Sequence, residues 1–245
     1  MLLTLFLGGK QPPPPVTFSY RDQILTAIDG LAVNRYGTEG FSTDSLGRVS
    51  YERDGLLAKA GIDVSFYQGE IDWQAVAADG VDFALIRLGY RGYTEGGLFL
   101  DSFYEANIQG ALEAGLEVGV YFYSQALTEA EAEEEALFTL ERVQALGLTG
   151  PVAYDLEFYT ADEARTDALT GQQATLNAAA FCQVLETAGL RSVVYMNGHW
   201  SGAMYDLDAL ADWPIWYAGY GQPPTLERGV LLWQYTEEGT LPGIT

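Results

Sequence analysis

Apolar stretches typical of strands alternate with helical stretches from Gly61 to the end of the sequence. Seven strand candidates stand in this part of the chain: GIDVSFYQG, VDFALIRLGY, EVGVYFYS, PVAYDLEF, RSVVYMNG, PIWYAGYG and GVLLWQYT. Strands alternating with helices predict βαβ units and a parallel sheet. Seven strands in one domain favour a closed or nearly closed barrel. An open doubly wound sheet is the alternative, but no glycine-rich phosphate loop follows the first strand.

The helical stretches between the strands carry start signals and helical spacing. Thr128 with Glu131, and Thr170 with Gln173, have the spacing of a capping box. A further short helix is predicted around YDLDALADW. The acidic stretch TEAEAEEEALFTLERV predicts a helix whose acids form a solvated face, because its apolar residues follow helical spacing. Those apolar residues are Ala136, Leu137, Leu140 and Val143.

The first 60 residues do not share this rhythm, and we divide the chain accordingly. Residues 1–15 join an apolar stub, too short to span a bilayer, to the proline-rich spacer QPPPP. Residues 16–60 form an N-terminal extension, in which FSYRDQILTAIDGLAVNRYG predicts one short helix and GRVSYERDG a hairpin or an extended arm. Residues 61–245 are the predicted barrel domain. No stable membrane span is expected.

Composition and charge exclude several classes of function. The chain of 245 residues is 48% hydrophobic and 19% charged, which is typical of a globular protein. Its net charge of −22 repels phosphate backbones, so we expect no nucleic-acid partner. The single cysteine, Cys182, is predicted to be a buried, inert thiol. With His199 as the only histidine, thiol or serine triads and His/Cys metal sites are not expected, nor is a cofactor.

Two acids close the fourth strand candidate, PVAYDLEF. Side chains alternate along a strand, so Asp155 and Glu157 share one face with Ala153, while the apolar residues share the other. Asp63 closes the first strand in the same way. In a barrel, the carboxyl ends of the strands converge on one mouth, where such enzymes place their sites. The same strand ends carry the candidate substrate-binding residues Arg87, Tyr121, Tyr123, Tyr195, Asn197, Trp216, Tyr220 and Gln234.

Three carboxylates and many aromatic side chains around one mouth favour glycoside hydrolysis. That reaction needs a protonated acid at the leaving oxygen and a second carboxylate that supports an oxocarbenium-like centre. Close acids separate one another's pKa values, so that one stays protonated near neutral pH. The competing hypotheses are an internal ion pair, although Arg87 is the only cation among these strand ends, and a site for a hard metal ion such as magnesium or calcium.

The motifs GIDVSFYQGEIDW, GVDFALIRLGYRG, AGLEVGVYFYSQA, PVAYDLE, FCQVLETAGL, VVYMN and LLWQYTEEGTLPGI together resemble glycoside hydrolase family 25, the Chalaropsis-type lysozymes. The resemblance implies an irregular, flattened TIM-like β/α barrel and an N-acetylmuramidase. Such an enzyme cleaves the β-1,4 bond between N-acetylmuramic acid and N-acetylglucosamine in peptidoglycan. It further implies Glu157 as general acid, Asp155 and Asp63 as supporting carboxylates, and Tyr121 in a sugar subsite. An extracellular or wall-associated monomer is then expected.

The sequence departs from the family in one respect. The family usually continues past GTLPGI with a segment that holds a further active-site aspartate, whereas this sequence ends at Thr245. We therefore expect that carboxylate to be missing and turnover to be reduced. The alternative functions are a catalytically weak wall-binding module and a glycosidase acting on another N-acetylated polysaccharide. A chitinase-like site is disfavoured because Ala153 and Gly150 occupy positions of further aspartates in that motif.

Overall fold

The computed structural model describes residues 17–20, 23–26, 38–158, 162–221, 223–224 and 230–244. The strands are β1 Thr17–Tyr20, β2 Gln23–Thr26, β3 Phe41–Thr43, β4 Val49–Arg53, β5 Leu56–Leu57, β6 Gly61–Val64, β7 Phe83–Arg91, β8 Leu98–Leu100, β9 Glu117–Ser124, β10 Val152–Leu156, β11 Ser192–Asn197, β12 Ile215–Ala218 and β13 Val230–Gln234. The α-helices are α1 Trp73–Ala78, α2 Tyr104–Glu113, α3 Glu129–Ala145 and α4 Gly171–Thr187. None of these helices is long and apolar enough to cross a bilayer.

A curled parallel sheet organises the molecule. Its strand order is β13-β12-β11-β10-β9-β7-β6, and β8 runs antiparallel beside β7. All seven predicted strands are present and parallel, which confirms the α/β class and the TIM-like architecture in the form of a half-barrel. Strand β8 was not predicted. In the part of the chain that the structure describes, the edge strands β6 and β13 do not pair through their backbones.

The two faces of the sheet have different partners, as strand alternation predicts. On the outer face, Tyr154 of β10 is fully buried and lies 5.1 Å from Phe181 of α4, centroid to centroid. The inner face holds a separate apolar cluster of Leu85, Tyr121, Ala153, Val193, Tyr195, Trp216 and Ala218. Burying each large apolar side chain contributes about 1.5–3 kcal/mol to the stability of the folded state. The outer face therefore anchors the helices, while the inner face remains available for polar groups at the strand ends.

The predicted helix caps form, but neither capping box is completed. Thr128 Oγ1 accepts from the backbone N–H of Glu131 at 3.3 Å and starts α3. The Glu131 carboxylate accepts from the N–H of Leu127 at 2.7 Å, one residue before the position that a box requires. Thr170 Oγ1 likewise accepts from the N–H of Gln173 at 3.2 Å and starts α4. These caps fix where the helices leave the sheet.

The N-terminal extension contains strands where a helix was predicted. The helix predicted in FSYRDQILTAIDGLAVNRYG does not form at residues 18–20 and 23–26, where β1 and β2 pair as antiparallel strands. Their Thr, Phe, Tyr and Ile residues favour strands. The hairpin predicted in GRVSYERDG is confirmed by β4 and β5, whose turn places Asp54 at φ 52° and Gly55 at φ 81°. Residues 1–16, with the predicted stub and spacer, lie outside the described residues, as do residues 27–37.

The predicted short helix around YDLDALADW is also wrong. Residues 207–212 form turns, and a π-helix, Trp200–Met204, precedes them. The Asp206 carboxylate accepts from the N–H groups of Asp208 and Ala209, at 3.0 and 3.2 Å. These are the contacts of a helix N-cap, and Leu210 N–H donates to the Asp206 carbonyl oxygen as in an α-helix, but the next two backbone bonds span only three residues, so the segment stays a series of turns.

A buried ion pair fastens α3 to the sheet. Arg91, at the end of β7, is 4% exposed and donates through Nε to Glu135 of α3 at 2.7 Å. It also donates to the carbonyl oxygens of Gly96 and Glu131. Burial raises the pKa of Glu135 to about 7, although Arg91 opposes the shift. The prediction that the acids of α3 form only a solvated face is therefore wrong at Glu135, and Leu137, assigned to its apolar face, is exposed.

Replacing Arg91 tests this anchor. We expect Arg91→Ala to lower the free energy of unfolding by about 3–5 kcal/mol, because the Glu135 carboxylate is left buried and unpaired. Urea denaturation measures the change. The control is Arg53→Ala, which removes a surface pair with Glu39 and should cost at most about 1 kcal/mol. Similar losses in the two variants would contradict the anchoring role.

Candidate active site

The carboxyl ends of the parallel strands form one rim of the half-barrel, which we call the mouth. Strand register places the predicted site residues on the same inner face. Arg87 of β7 lies opposite Tyr121 of β9, and Tyr121 lies opposite Ala153 of β10. Tyr195 of β11 is paired with Trp216 of β12 in the same way, and Ala218 with Gln234 of β13. Asp63, in β6, joins them opposite Leu85.

Asp155 is the most deeply buried of the three mouth carboxylates. It is 4% exposed, and its Oδ1 atom has no hydrogen-bond partner among the described residues. Burial raises the pKa of Asp155 well above its ordinary value, and the negative charges of Glu157 and Asp63 raise it further, while Arg87 opposes them. The pair of Asp155 and Glu157 therefore resists holding two negative charges at once.

Glu157 lies just beyond the end of β10 and keeps part of its surface exposed. The Tyr195 hydroxyl donates to Glu157 Oε2 at 3.4 Å. Burial raises the pKa of Glu157 to about 7; the Tyr195 hydrogen bond opposes this shift, while the charges of Asp63 and Glu237 add to it. A carboxyl group with this pKa is available in both protonation states near neutral pH.

Asp63 takes part in a hydrogen-bond chain that connects the two edge strands. Gln234 Nε2, at the end of β13, donates to Asp63 Oδ2 at 2.9 Å, and the Tyr220 hydroxyl donates to Gln234 Oε1 at 3.2 Å. Burial raises the pKa of Asp63, and the hydrogen bond from Gln234 opposes that shift. Side chains thus link β6 and β13 at the mouth, where the described backbone has no ladder.

The cation predicted at the mouth already has a partner. Arg87 Nε donates to Asp101 Oδ2 at 2.8 Å, and the Asp101 side chain is fully buried. Asp101 also accepts from the N–H groups of Phe66 and Phe103, so it holds the loop after β6 and the start of α2. Asp101 was not predicted as a site residue, because DSFYEAN has the pattern of a helix start. None of the described cationic side chains forms an ion pair with any of the three mouth carboxylates.

The predicted aromatic residues divide into a floor and an exposed rim. Tyr121 and Tyr195 each contact Trp216 edge to face, with ring centroids 5.5 and 4.8 Å apart, and all three rings are buried. Tyr123, opposite Asp155 in the sheet, is half-buried. Tyr220 is 48% exposed. The buried rings support the carboxylates from below, whereas Tyr220 can meet a ligand directly.

Three further aromatic residues lie at the mouth and were not among the predicted site residues. The Arg87 guanidinium lies 5.0 Å from the ring centroid of Phe66, 5.5 Å from that of Tyr67 and 5.4 Å from that of Tyr90. Phe66 and Tyr67 directly follow the first strand in SFYQ, which is a usable sequence signal. Tyr90 reaches this side because the β7–β9 register shifts after Arg87. Such a bulge leaves no clear trace in the sequence.

Two amides at the mouth hold backbone segments. Asn197 Oδ1 accepts from the N–H groups of His199 and Trp200 at 3.0 and 3.2 Å, so the predicted ligand contact is available only through its nitrogen. Gln125, which the sequence analysis missed, is fully buried and donates to the Glu157 carbonyl oxygen at 3.2 Å. It also accepts from the Thr166 hydroxyl at 2.7 Å. Gln125 therefore fixes the backbone at Glu157.

Comparison with known proteins decides the family. The model of Glycosyl hydrolases family 25 matches residues 62–244, which include the whole mouth and, except for Gly61 at the start of β6, every strand of the half-barrel. This chain belongs to glycosyl hydrolases family 25. It is 30% identical over 186 residues to the autolytic lysozyme of Clostridium acetobutylicum, covering 76% of this chain and 52% of that protein. The chain thus spans about half the length of that relative.

Solved structures show the same fold. The modular autolysin LytC from Streptococcus pneumoniae superposes with a TM-score of 0.66 at 24% identity, covering 84% of this chain and 50% of that one. A second structure of LytC, in complex with a synthetic peptidoglycan ligand, gives a TM-score of 0.63 at 23% identity with the same coverage. At these identities the similarity shows the family 25 fold alone.

The family 25 mouth is built from carboxylates, amides and aromatic rings. Within the described ranges, no group of three or more His, Cys, Asp or Glu side chains has an arrangement suited to a metal ion. Cys182 is buried in α4 beneath the outer face, as predicted, and burial raises the pKa of its thiol. The acids of the mouth are able to transfer protons and to stabilise positive charge.

The raised pKa of Glu157 predicts how stability depends on pH. An exposed glutamate in the unfolded chain has a pKa of about 4.3, so charging Glu157 destabilises the folded state as pH rises from there towards about 7. The uncharged side chain in Glu157→Gln does not cause this loss of folding stability. We expect the melting temperature of the variant, relative to the original protein, to increase between pH 4.5 and 7.5.

Thermal unfolding across that pH range measures the effect. Glu163→Gln is the matched control, because it removes one exposed carboxylate from the loop after Glu157. A Glu157→Gln difference that changes no more with pH than that of the control would contradict the raised pKa.

Proposed function

We propose that this chain is a peptidoglycan hydrolase that cleaves the β-1,4 bond between N-acetylmuramic acid and N-acetylglucosamine. The observation that carries the proposal is the set of three carboxylates at the family 25 mouth, whose pKa values are all raised by burial. The names of the autolytic lysozyme and of LytC with its peptidoglycan ligand support this substrate class. An extracellular or wall-associated location follows from the substrate.

Glu157 is the general acid in this proposal. It is the mouth carboxylate that immediately follows its strand, it is partly exposed, and its pKa of about 7 keeps a proton available at neutral pH. The Gln125 side chain holds its backbone, and the Tyr195 hydroxyl holds one carboxyl oxygen. The other carboxyl oxygen then protonates the glycosidic oxygen as the bond to the leaving sugar breaks. Water adds to the anomeric carbon, and its proton passes to a mouth carboxylate.

Asp155 and Asp63 are the supporting carboxylates. Asp155 lies buried behind Glu157 and carries an oxygen without a partner among the described residues. As positive charge develops at the anomeric carbon, a carboxylate held in this dry site stabilises it more strongly than water does. In the resting enzyme the charges of Asp63 and Glu237 also favour the protonated form of Glu157.

The remaining predicted residues bind or support the glycan. Tyr220 offers an exposed ring, and the Gln234 amide sits between it and Asp63. Tyr123 and the Asn197 nitrogen complete the proposed contacts. Three predicted residues are buried against other groups and support the binding surface without facing the glycan: Tyr121, Trp216 and Arg87. Aromatic faces with polar edges suit sugar rings.

A wall-binding module without catalysis is the weaker alternative. Binding alone has no need for three desolvated acids that oppose one another's ionisation, an arrangement that reduces stability. A glycosidase for another N-acetylated polysaccharide would use the same acids, so the substrate itself has to distinguish it from a muramidase.

We expect Glu157→Gln to lower the rate of peptidoglycan hydrolysis by about 10²–10⁴-fold. The amide keeps the shape of the carboxyl group but cannot deliver a proton to the leaving oxygen. The loss of turbidity of purified peptidoglycan measures the rate. Glycan binding and folding should remain close to those of the original protein.

The hydrolysis experiment has two controls. Glu163→Gln should hydrolyse at the original rate, and the original protein should leave colloidal chitin intact. Mass spectrometry of the digest should find fragments that end in reducing N-acetylmuramic acid. Retained hydrolysis in Glu157→Gln would remove Glu157 from the acid role, and fragments ending in reducing N-acetylglucosamine would exclude a muramidase.

A further inference from the structure

A second concave surface lies beside the mouth, between the N-terminal sheet and the last strand. The antiparallel strands β3–β5 approach β13 and leave a cleft of about 230 Å³, which we call the side cleft. Its walls include Phe41, Thr43, Val49, Trp233, Tyr235 and Thr236. The family match begins at residue 62, so one wall of the side cleft comes from outside the matched region.

The side cleft adjoins the mouth at the end of β13, and its Trp233 wall lies on the opposite side of that strand from Gln234. Tyr235 and Thr236 immediately follow Gln234, and Gly221, another lining residue, immediately follows Tyr220. Gln234 and Tyr220 are hydrogen-bonded to each other, and Gln234 is bonded to Asp63. A polymer that lies across the mouth carboxylates and passes over the end of β13 is then within reach of the side cleft.

The aromatic walls are held in fixed orientations. The Trp233 indole N–H donates to the Gly219 carbonyl oxygen at 2.8 Å. The Phe41 ring meets Trp233 edge to face at 5.3 Å, and Tyr235 lies 5.7 Å from Trp233 on another side. All three rings are partly exposed. The hydroxyl groups of Thr43 and Thr236 supply hydrogen-bonding partners at the edge.

These features select the chemistry of the ligand. No charged side chain is found among the described residues that line the side cleft. The net charge of −22 and the exposed Glu237 next to Thr236 disfavour an anion. The volume is smaller than the roughly 300–1,000 Å³ of pockets for drug-sized ligands. Rigid rings with nearby hydroxyl groups in such a space suit one uncharged sugar unit.

We infer that the side cleft is a distal sugar-binding subsite, in which the N-terminal extension helps to hold a glycan strand that runs out of the mouth. The inference rests on the proposed function for the identity of that strand. It assigns a role to residues 38–57 that the family 25 half-barrel does not itself supply.

The test compares glycans of two lengths. Peptidoglycan glycan strands, freed of stem peptides, are fractionated into tetrasaccharides and octasaccharides, and their affinities are measured by calorimetry in the Glu157→Gln background. Tyr235→Ala removes one aromatic wall, and Thr43→Trp fills the side cleft. Ser42→Trp is the matched control, because Ser42 lies on the opposite face of β3.

We expect both variants to lower the octasaccharide affinity by about three- to tenfold, the range of one aromatic contact. Tetrasaccharide affinity should not change, and Ser42→Trp should bind like the parent. An unchanged octasaccharide affinity in both variants, or an equal loss for the two lengths, would overturn the inference.

If the protein with Glu157 restored fails to cleave peptidoglycan while the length-dependent loss persists, the proposed function fails and the subsite stands. If neither glycan binds the parent, both fail.

Discussion

The site depends on three carboxylates that are buried together at one end of the sheet. None of the described cationic side chains forms an ion pair with them. Arg87 does not neutralise them, because Asp101 holds it in a buried ion pair. Burial therefore raises the pKa values of Asp63, Asp155 and Glu157, and their mutual repulsion increases the shift for the last two. A protonated acid at neutral pH follows from this arrangement.

The fold supports that arrangement through side chains as well as through its backbone ladder. Gln234 connects the last strand to Asp63 in the first, and Gln125 holds the backbone at Glu157. The buried rings of Tyr121 and Trp216 exclude water from below. The apolar outer face carries the helices and supplies stability that offsets the repulsion among the acids of the inner face.

Pattern alone predicted the parallel sheet and the face that carries the acids, since strand alternation is a local property. It failed where distant residues decide the outcome. Glu135 has the sequence of a solvated acid, yet Arg91 from a distant strand draws it into the core. Asp101 resembles a helix start, and a bulge after Arg87 turns Tyr90 to the inner face. These contacts form only once the chain has folded, so the local sequence pattern does not predict them.

Carbon-13 NMR titration of the Glu157 and Asp155 carboxyl groups tests the effect of this shared burial most directly, with Glu157→Gln and Asp155→Asn used to assign the signals. The structure predicts a midpoint of about 7 for Glu157 and one well above the ordinary aspartate range for Asp155. Midpoints near the ordinary values of about 4.3 and 3.9 would contradict it, because the mouth would then hold no protonated acid at neutral pH.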